Sequence, residues 1–174
     1  MIFEGRVWKV GDNIGATDLV SARHDKAGMQ RQWDECAQHL LEDVDPAIAR
    51  EIQPGDILVA GQNLGTGHAH YYMAAIMGSA ASGLSALLAD SVNALFLRAA
   101  VDAGVTVWSL PGISRFVDSG DRLHIDLRTG HAENRTQHTH QQFPPVGDAV
   151  LQILDAGGSR NWALRAVGAA HAIR

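Results

Sequence analysis

The chain has one cysteine, Cys36, among its 174 residues. A single thiol can close no intrachain disulfide and cannot by itself hold a zinc ion or an iron–sulfur cluster. There is also no basic stripe. Fourteen Lys and Arg stand against 19 Asp and Glu, a formal net charge of −5, which makes nucleic acid and anionic membranes poor partners. No apolar run approaches the roughly 18 residues a membrane span needs. The N-terminus, MIFEGRVWKV, mixes charge into its apolar residues and lacks the apolar core of a signal peptide. These absences lead us to expect a cytoplasmic protein folded as one domain over residues 1–174, long enough to bury a core without covalent or metal staples.

What is present begins with alternation. Ile2, Phe3, Val7, Trp8 and Val10 predict a strand closed by a Gly11-Asp12-Asn13 turn. Helical spacing of Met29, Trp33, Cys36, Ala37, Leu40 and Leu41 predicts a helix over 27–41, and Asp45-Pro46 starts a second. Three apolar runs follow, at 57–60, 84–89 and 105–110. They are separated by an Ala- and Met-rich helix from about His68 to Ser79 and a helix over 91–103 capped by Gly104. Strand, helix, strand, helix, strand at this spacing predicts a parallel sheet with right-handed crossovers. Beyond Pro111, Leu123, Ile125 and Leu127 alternate with polar residues as one arm of a hairpin whose return is 135–142. A last helix spans 147–156 and stops at Gly157-Gly158, and the weakly amphipathic tail from about 160 is helical or loose.

The candidate site is 56–72, DILVAGQNLGTGHAHYY: a short strand, a loop punctuated by Gly61, Gly65 and Gly67, and a helix start bearing His68 and His70. The loop has no Gly-Lys-Ser/Thr and no third glycine of a dinucleotide fingerprint. It reads either as a turn that offers N–H groups to a carboxylate or phosphate, or as a tight β–α turn without a ligand. At a helix start the dipole disfavours protonated histidine, so His68 and His70 suit a neutral base or a hydrogen-bond donor, or are plain first-turn residues. His124, His131, His138 and His140 lack a supporting cysteine and have few carboxylates near them, so a solvated hairpin face explains them better than zinc. Cys36 falls on an apolar helix face as packing. Thr17, Asp18 and Arg23 share a loop where Asp18 could cap and Arg23 could clamp a carboxylate.

In this order the pieces resemble the small subunit of 3-isopropylmalate dehydratase, the swivel domain of the aconitase superfamily. GDNIGATDLVSAR is similar to that family's Gly-Asp-Asn-Ile-Asp-Thr-Asp segment, offset near Gly15, with Thr17, Asp18 and Arg23 kept. DVDPAIAREIQPGDILVAGQNLGTG resembles the approach to its Gly-Arg-Asn-Phe-Gly-Cys-Gly-Ser-Ser-Arg-Glu loop, and ALLADSVNALFLRAAVDAG its Ala-Val-Ile-Ala-x-Ser-Phe segment, with Ser91 kept.

The resemblance implies an α/β fold: an aconitase swivel-like three-layer β/β/α domain with a central parallel β-α-β-α-β core and a C-terminal hairpin and helix. It implies no cofactor on this chain. A separate large subunit would carry a [4Fe–4S] cluster, and the pair would remove and re-add water on a hydroxy di- or tricarboxylic acid. Isolated chains could form a homo-oligomer. It places Asn63, Gly65, Thr66, Gly67, Thr17, Asp18, Arg23 and Ser91 at the substrate. Where the family carries Ser-Ser-Arg, this chain has His68, Ala69 and His70. In one reading His68 replaces serine as the proton-transfer group and His70 becomes the carboxylate contact. In the other the scaffold has lost catalysis and binds a small anion or a protein partner.

Overall fold

The computed structural model describes residues 1–172. Its first strand, β1 (Ile2–Lys9), is shared by two half-sheets. Val7 to Lys9 pair in parallel with β2 (Ile57–Ala60), while Ile2 to Arg6 pair antiparallel with β5 (Arg122–Asp126). On the parallel side β3 (Ala86–Ala89) and β4 (Val107–Ser109) extend the sheet. On the other side β6 (His131–Asn134) and β7 (Thr139–Gln142) continue a meander, for the order β4-β3-β2-β1-β5-β6-β7. The parallel half thus has four strands where the apolar runs suggested three, because β1 joins it.

Alternate residues of each parallel strand enter different cores. Trp8, Leu58, Ala60, Leu87 and Ala89 face the helices, while Val7, Ile57, Val59, Ala86 and Leu88 face Leu123, Ile125, Leu127, Ala132 and Phe143 of the folded-over antiparallel half. A strand buried on both faces reads as a continuous apolar run, and 57–60 and 86–89 do so. The result is the expected β/β/α layering.

The helices are α1 (Ala16–Leu19), α2 (Asp25–Met29), α3 (Trp33–Gln38), α4 (Pro46–Glu51), α5 (Tyr72–Ala81), α6 (Ala94–Ala103), α7 (Ile113–Phe116), α8 (Asp148–Asp155) and α9 (Ser159–Ala172). Several of these depart from expectation, among them α1, which falls in the stretch read as a loop. The single helix over 27–41 is two, α2 and α3, because Arg31 adopts φ 57°. Its N–H and that of Gln32 turn back to the carbonyls of Gly28 and Ala27 and close the first helix. The Ala-rich helix α5 starts later, at Tyr72, and packs closely on α2 and α3. Gly28 and Gly78 lie where an added Cβ would come within 2.8 Å of Ala74 and 2.9 Å of Cys36, so both helix contacts depend on glycine. α6 starts at Ala94, since the Asn93 side chain accepts the N–H groups of Leu95 and Phe96. The tail is helical, as α9.

The return strand expected over 135–142 is also divided. Residues 135–138 form a turn in which His138 has φ 54°, and only 139–142 pair with β6. The expected hairpin is therefore a three-stranded meander. His138 and His140 do not share a strand face. His140 stacks on His131 of the neighbouring strand, with ring centroids 5.6 Å apart.

Gly104 caps α6 at φ 76°, against the turn that joins α8 to α9, and a Cβ there would lie 2.4 Å from the backbone of Gly157. Gly104→Ala combines left-handed strain with a backbone overlap that no side chain can relieve. It should lower the unfolding free energy by about 2 to 4 kcal/mol, read from urea denaturation.

Candidate functional site at the carboxyl edge of the parallel strands

Two loops leave the carboxyl ends of β1 and β2 and run side by side, tied by backbone. Gly61 N–H donates to Gly11 O (3.1 Å), Asn13 N–H to Gln62 O (2.7 Å), Gly65 N–H to Ile14 O (2.8 Å) and Ala16 N–H to Thr66 O (2.9 Å). Side chains reinforce the tie. The Asp12 carboxylate accepts Gln62 N–H at 2.7 Å, and the Asn63 amide donates to Asn13 Oδ1 at 2.8 Å. Asn63 and Asn13 both sit near φ 60°, a conformation that asparagine tolerates better than most residues. On the far side Leu64 N–H donates to Ser91 O, and Asn63 N–H to Ser91 Oγ at 2.9 Å. Gly65, at φ 76°, has room for no side chain: a Cβ would lie 2.2 Å from the Phe96 ring.

The loop's glycines therefore divide by role. Gly61 and Gly65 donate their N–H groups internally and shape the loop. Thr66 is joined to Gly15 by an isolated parallel bridge, whereas among the described residues the N–H groups of Gly67, His68 and Ala69 meet no acceptor, and Gly67 to His70 are exposed. A 3-10 turn at Ala69–Tyr71 leads into α5, with His68 as its cap. His68 Nδ1 accepts the His70 N–H at 3.2 Å. The Tyr72 hydroxyl lies 3.3 Å from both Gly67 O and Asn93 Oδ1 and anchors the turn to α6.

Asn63, Gly65, Thr66, Gly67, His68, His70 and Ser91 are thus gathered in one place. Asp18 caps its own short helix, accepting Gly15 N–H at 2.7 Å, and Thr17 is half-buried beside it. Arg23 is not aimed at the loop. Its guanidinium meets Glu42 at 2.8 Å and Asp43 at 2.7 Å.

Three contributors escape a reading of the sequence. Asp25, at the start of α2, places Oδ1 3.0 Å from His70 Nε2. Asp90, just past β3, accepts the N–H groups of Gly112 and Ser114 and the Ser114 hydroxyl. Burial opposes its ionisation, but these donors hold the carboxyl below its ordinary value. Beside it a polar cleft opens, lined by Asp12, Gln62, Ser91, Ser114 and Arg115, at the carboxyl edge where open α/β sheets bind ligands. The third is Glu42, whose two oxygens each meet a histidine at 2.7 Å, His24 and His39, while Arg23 shares the first. The Arg23 hydrogen bond, with both imidazoles, pulls the Glu42 carboxyl down to about 2. His24, His39 and Glu42 are metal-ligand types within reach of one another. The two rings, however, stack in parallel at 3.6 Å, so their in-plane lone pairs run side by side and do not converge on one ion roughly 2 Å from each. The cluster pins the 22–25 segment, and with it Asp25, to the loop before α4.

Cys36 is fully buried, and burial pushes its thiol up. It is packing, and no cysteine set for a cluster exists on this chain.

A parallel half-sheet with a glycine loop at its carboxyl edge, backed by an antiparallel layer that shares β1, is the architecture of a β/β/α swivel domain. The comparisons agree. The crystal structure of 3-isopropylmalate dehydratase (leuD) from Methanocaldococcus jannaschii matches with a TM-score of 0.87, covering both chains in full at 23% identity. In sequence, 3-isopropylmalate dehydratase small subunit 1 of Thermotoga maritima is 35% identical over 92% of this chain and 94% of its own. The isopropylmalate/citramalate isomerase small subunit of M. jannaschii is 32% identical over 90% of each. The methanogen homoaconitase small subunit of Methanothermobacter thermautotrophicus is 34% identical over 95% of this chain and 93% of its own. No family model matches the chain. The chain belongs to the family of 3-isopropylmalate dehydratase small subunits.

Two outcomes test the site's construction. Ser91→Ala removes the acceptor of Asn63 N–H and should cost about 1 kcal/mol of stability in urea denaturation. Because the Glu42 carboxyl is depressed in the folded state, its contribution is complete above the ordinary carboxyl value of 4.5. It is lost as pH falls toward 2. Glu42→Gln should therefore be less stable than wild type near neutrality, and the gap should narrow as pH drops through 4, read from urea midpoints.

Proposed function

We propose that this chain is the non-cluster subunit of an aconitase-type hydro-lyase, completing the active site of a separate large subunit. The substrate class is a hydroxy di- or tricarboxylic acid. The names of its relatives divide among isopropylmalate, citramalate and homoaconitase activities, and the class is what these have in common. The observation that carries the reading is the Gly67–His70 segment. It is held rigidly from below by the backbone ladder, yet His68 and His70 and their neighbouring N–H groups are exposed. By the family resemblance, this segment stands where the proton-transfer serine and the carboxylate-gripping arginine would be.

The [4Fe–4S] cluster belongs in this proposal to the partner, where it supplies Lewis acidity to the substrate hydroxyl and carboxylate. The residues of this chain do the rest. The N–H groups of Gly67 to Ala69, at a helix start, favour a carboxylate. Imidazole at neutral pH can accept a proton from carbon next to a carboxylate. Exposed Met73 and Leu95 flank Ala69 and Tyr72 and provide apolar surface for the large subunit beside the loop. The alternative of a scaffold without catalysis draws no support from these observations. A cytoplasmic location is part of the proposal, and no helix among the described residues is long and apolar enough to cross a membrane.

Co-expression with a cluster-binding large subunit from the same genome tests this. The two should co-purify, and hydration of unsaturated dicarboxylates should require both, with the isolated chain inert. Failure to associate would sink the reading.

A further inference from the structure

Resting on the hydro-lyase reading, we infer that the large subunit docks along a methionine-lined trough that runs from the Gly67–His70 segment across α5 to α2 and α3. The trough has two sections that meet at Met73. The nearer, about 310 Å³, is walled by Ala69, Tyr72, Met73, Leu95 and Ala99, so it opens at the exposed segment itself. The farther, about 370 Å³, is walled by Gly28, Met29, Trp33, Met73, Met77 and Ala103. Its α2 wall returns to the same segment, where Asp25 Oδ1 stands 3.0 Å from His70 Nε2.

Size and chemistry select this surface. A stable pair of chains buries about 800 Å² on each partner, roughly 20 to 30 residues a side. The exposed segment runs only from Gly67 to His70, so an interface that contains it must spread onto what adjoins it. One neighbour is the polar cleft, where covering would desolvate the Asp12 and Asp90 carboxylates at a cost that only full pairing offsets. The other is the trough, where covering removes apolar surface from water, the main favourable term in association. Met29 is 69% exposed, Leu95 62% and Met73 41%, while Trp33 and Met77 form a floor packed on the core. Three of the chain's four methionines line the trough. Their unbranched thioethers adapt to a partner's side chains where a branched residue would impose a fixed shape. Arg31 borders the farther section and Arg98 the nearer, against one carboxylate, Asp102. Neither arginine makes an ion pair among the described residues. The occupant is therefore an apolar face of the large subunit with carboxylates at its edge.

Two measurements test the docking surface with the large subunit from the same genome. In methyl NMR of the methionine-labelled chain, adding the large subunit should shift Met29, Met73 and Met77, whereas Met1, which packs on the other core, should stay in place. By calorimetry, Met29→Lys and Met73→Lys should each weaken association by about tenfold or more while keeping the wild-type urea midpoint. Leu164→Lys, at an exposed apolar residue of α9, should leave association unchanged. A complex that forms with all three trough methyls unshifted would overturn the inference and leave the hydro-lyase reading standing. So would weakening by Leu164→Lys with the two methionine variants binding normally. Trough methyls that shift with the concentration of this chain alone would give the surface to a second copy and overturn it as well. An assembled complex with shifted methyls but no activity toward the dicarboxylates would remove the hydro-lyase reading and keep the docking surface. No association at all would remove both.

Discussion

The backbone ladder between residues 11–16 and 61–66 is the constraint on which the site depends. Four main-chain hydrogen bonds, between 2.7 and 3.1 Å, hold two loops parallel beyond the ends of their strands. Loops usually fray because their N–H and C=O groups have water as an equal alternative. Here backbone groups on both loops are partnered as in a sheet up to Thr66, and the stretch that follows, Gly67 to His70, is exposed. The loop is rigid where it must hold position and open where a ligand would meet it. The ladder also explains the local residue choices. Gly61 lies where a Cβ would strike Asp12 Oδ1 at 1.9 Å, and Gly65 where one would strike Phe96.

That ladder is possible because β1 is central. Its second half lies beside β2 in parallel, so both loops emerge on the same edge, while its first half turns to β5. Val7 and Trp8 are successive residues, yet they seed the two different cores. Trp8 adds a polar anchor: its indole N–H donates to the buried Asp56 carboxylate at 2.8 Å, just ahead of β2. A buried carboxylate left without donors is costly, and Asp56 also accepts Gln53 N–H. The strand that carries the site is thus registered on β1 by a specific hydrogen bond as well as by apolar packing.

Much of this was legible in the sequence, for physical reasons that also mark the limit. Ile57 to Ala60 is apolar at every position because both faces are covered, and Gly104 marks a helix end because only glycine takes φ 76° there without strain. The break at Arg31 was not legible. Apolar spacing continues across it, and the left-handed residue is an arginine where glycine or asparagine would be expected. Ser91 and Asn93 are both good helix caps. The choice between them is made by the loop, which takes the Ser91 hydroxyl for Asn63 and leaves Asn93 to start α6. The pairing of Asp25 with His70, and of Glu42 with His24 and His39, joins segments distant in sequence, so no local pattern announces it. Thr17, Asp18 and Arg23 looked like one set because they fall in one short stretch without regular apolar spacing. Folding gives Asp18 to a cap and Arg23 to Glu42 and Asp43.

In the function we propose, the change at Gly67–His70 alters more than two residues. An arginine is a permanent cation that grips a carboxylate in two places. A histidine is shorter and carries charge only when protonated. A site that loses the arginine must therefore hold an anion by other means, and the N–H groups of Gly67 to Ala69 are dipolar donors that need no ionisation. The replacement of serine acts in the opposite direction. A serine must be activated before it can take a proton from carbon, whereas a neutral imidazole is already competent near neutral pH, provided the correct nitrogen faces the substrate. In the proposed function the two histidines thus exchange a fixed positive charge and an activated alcohol for backbone donors and an imidazole.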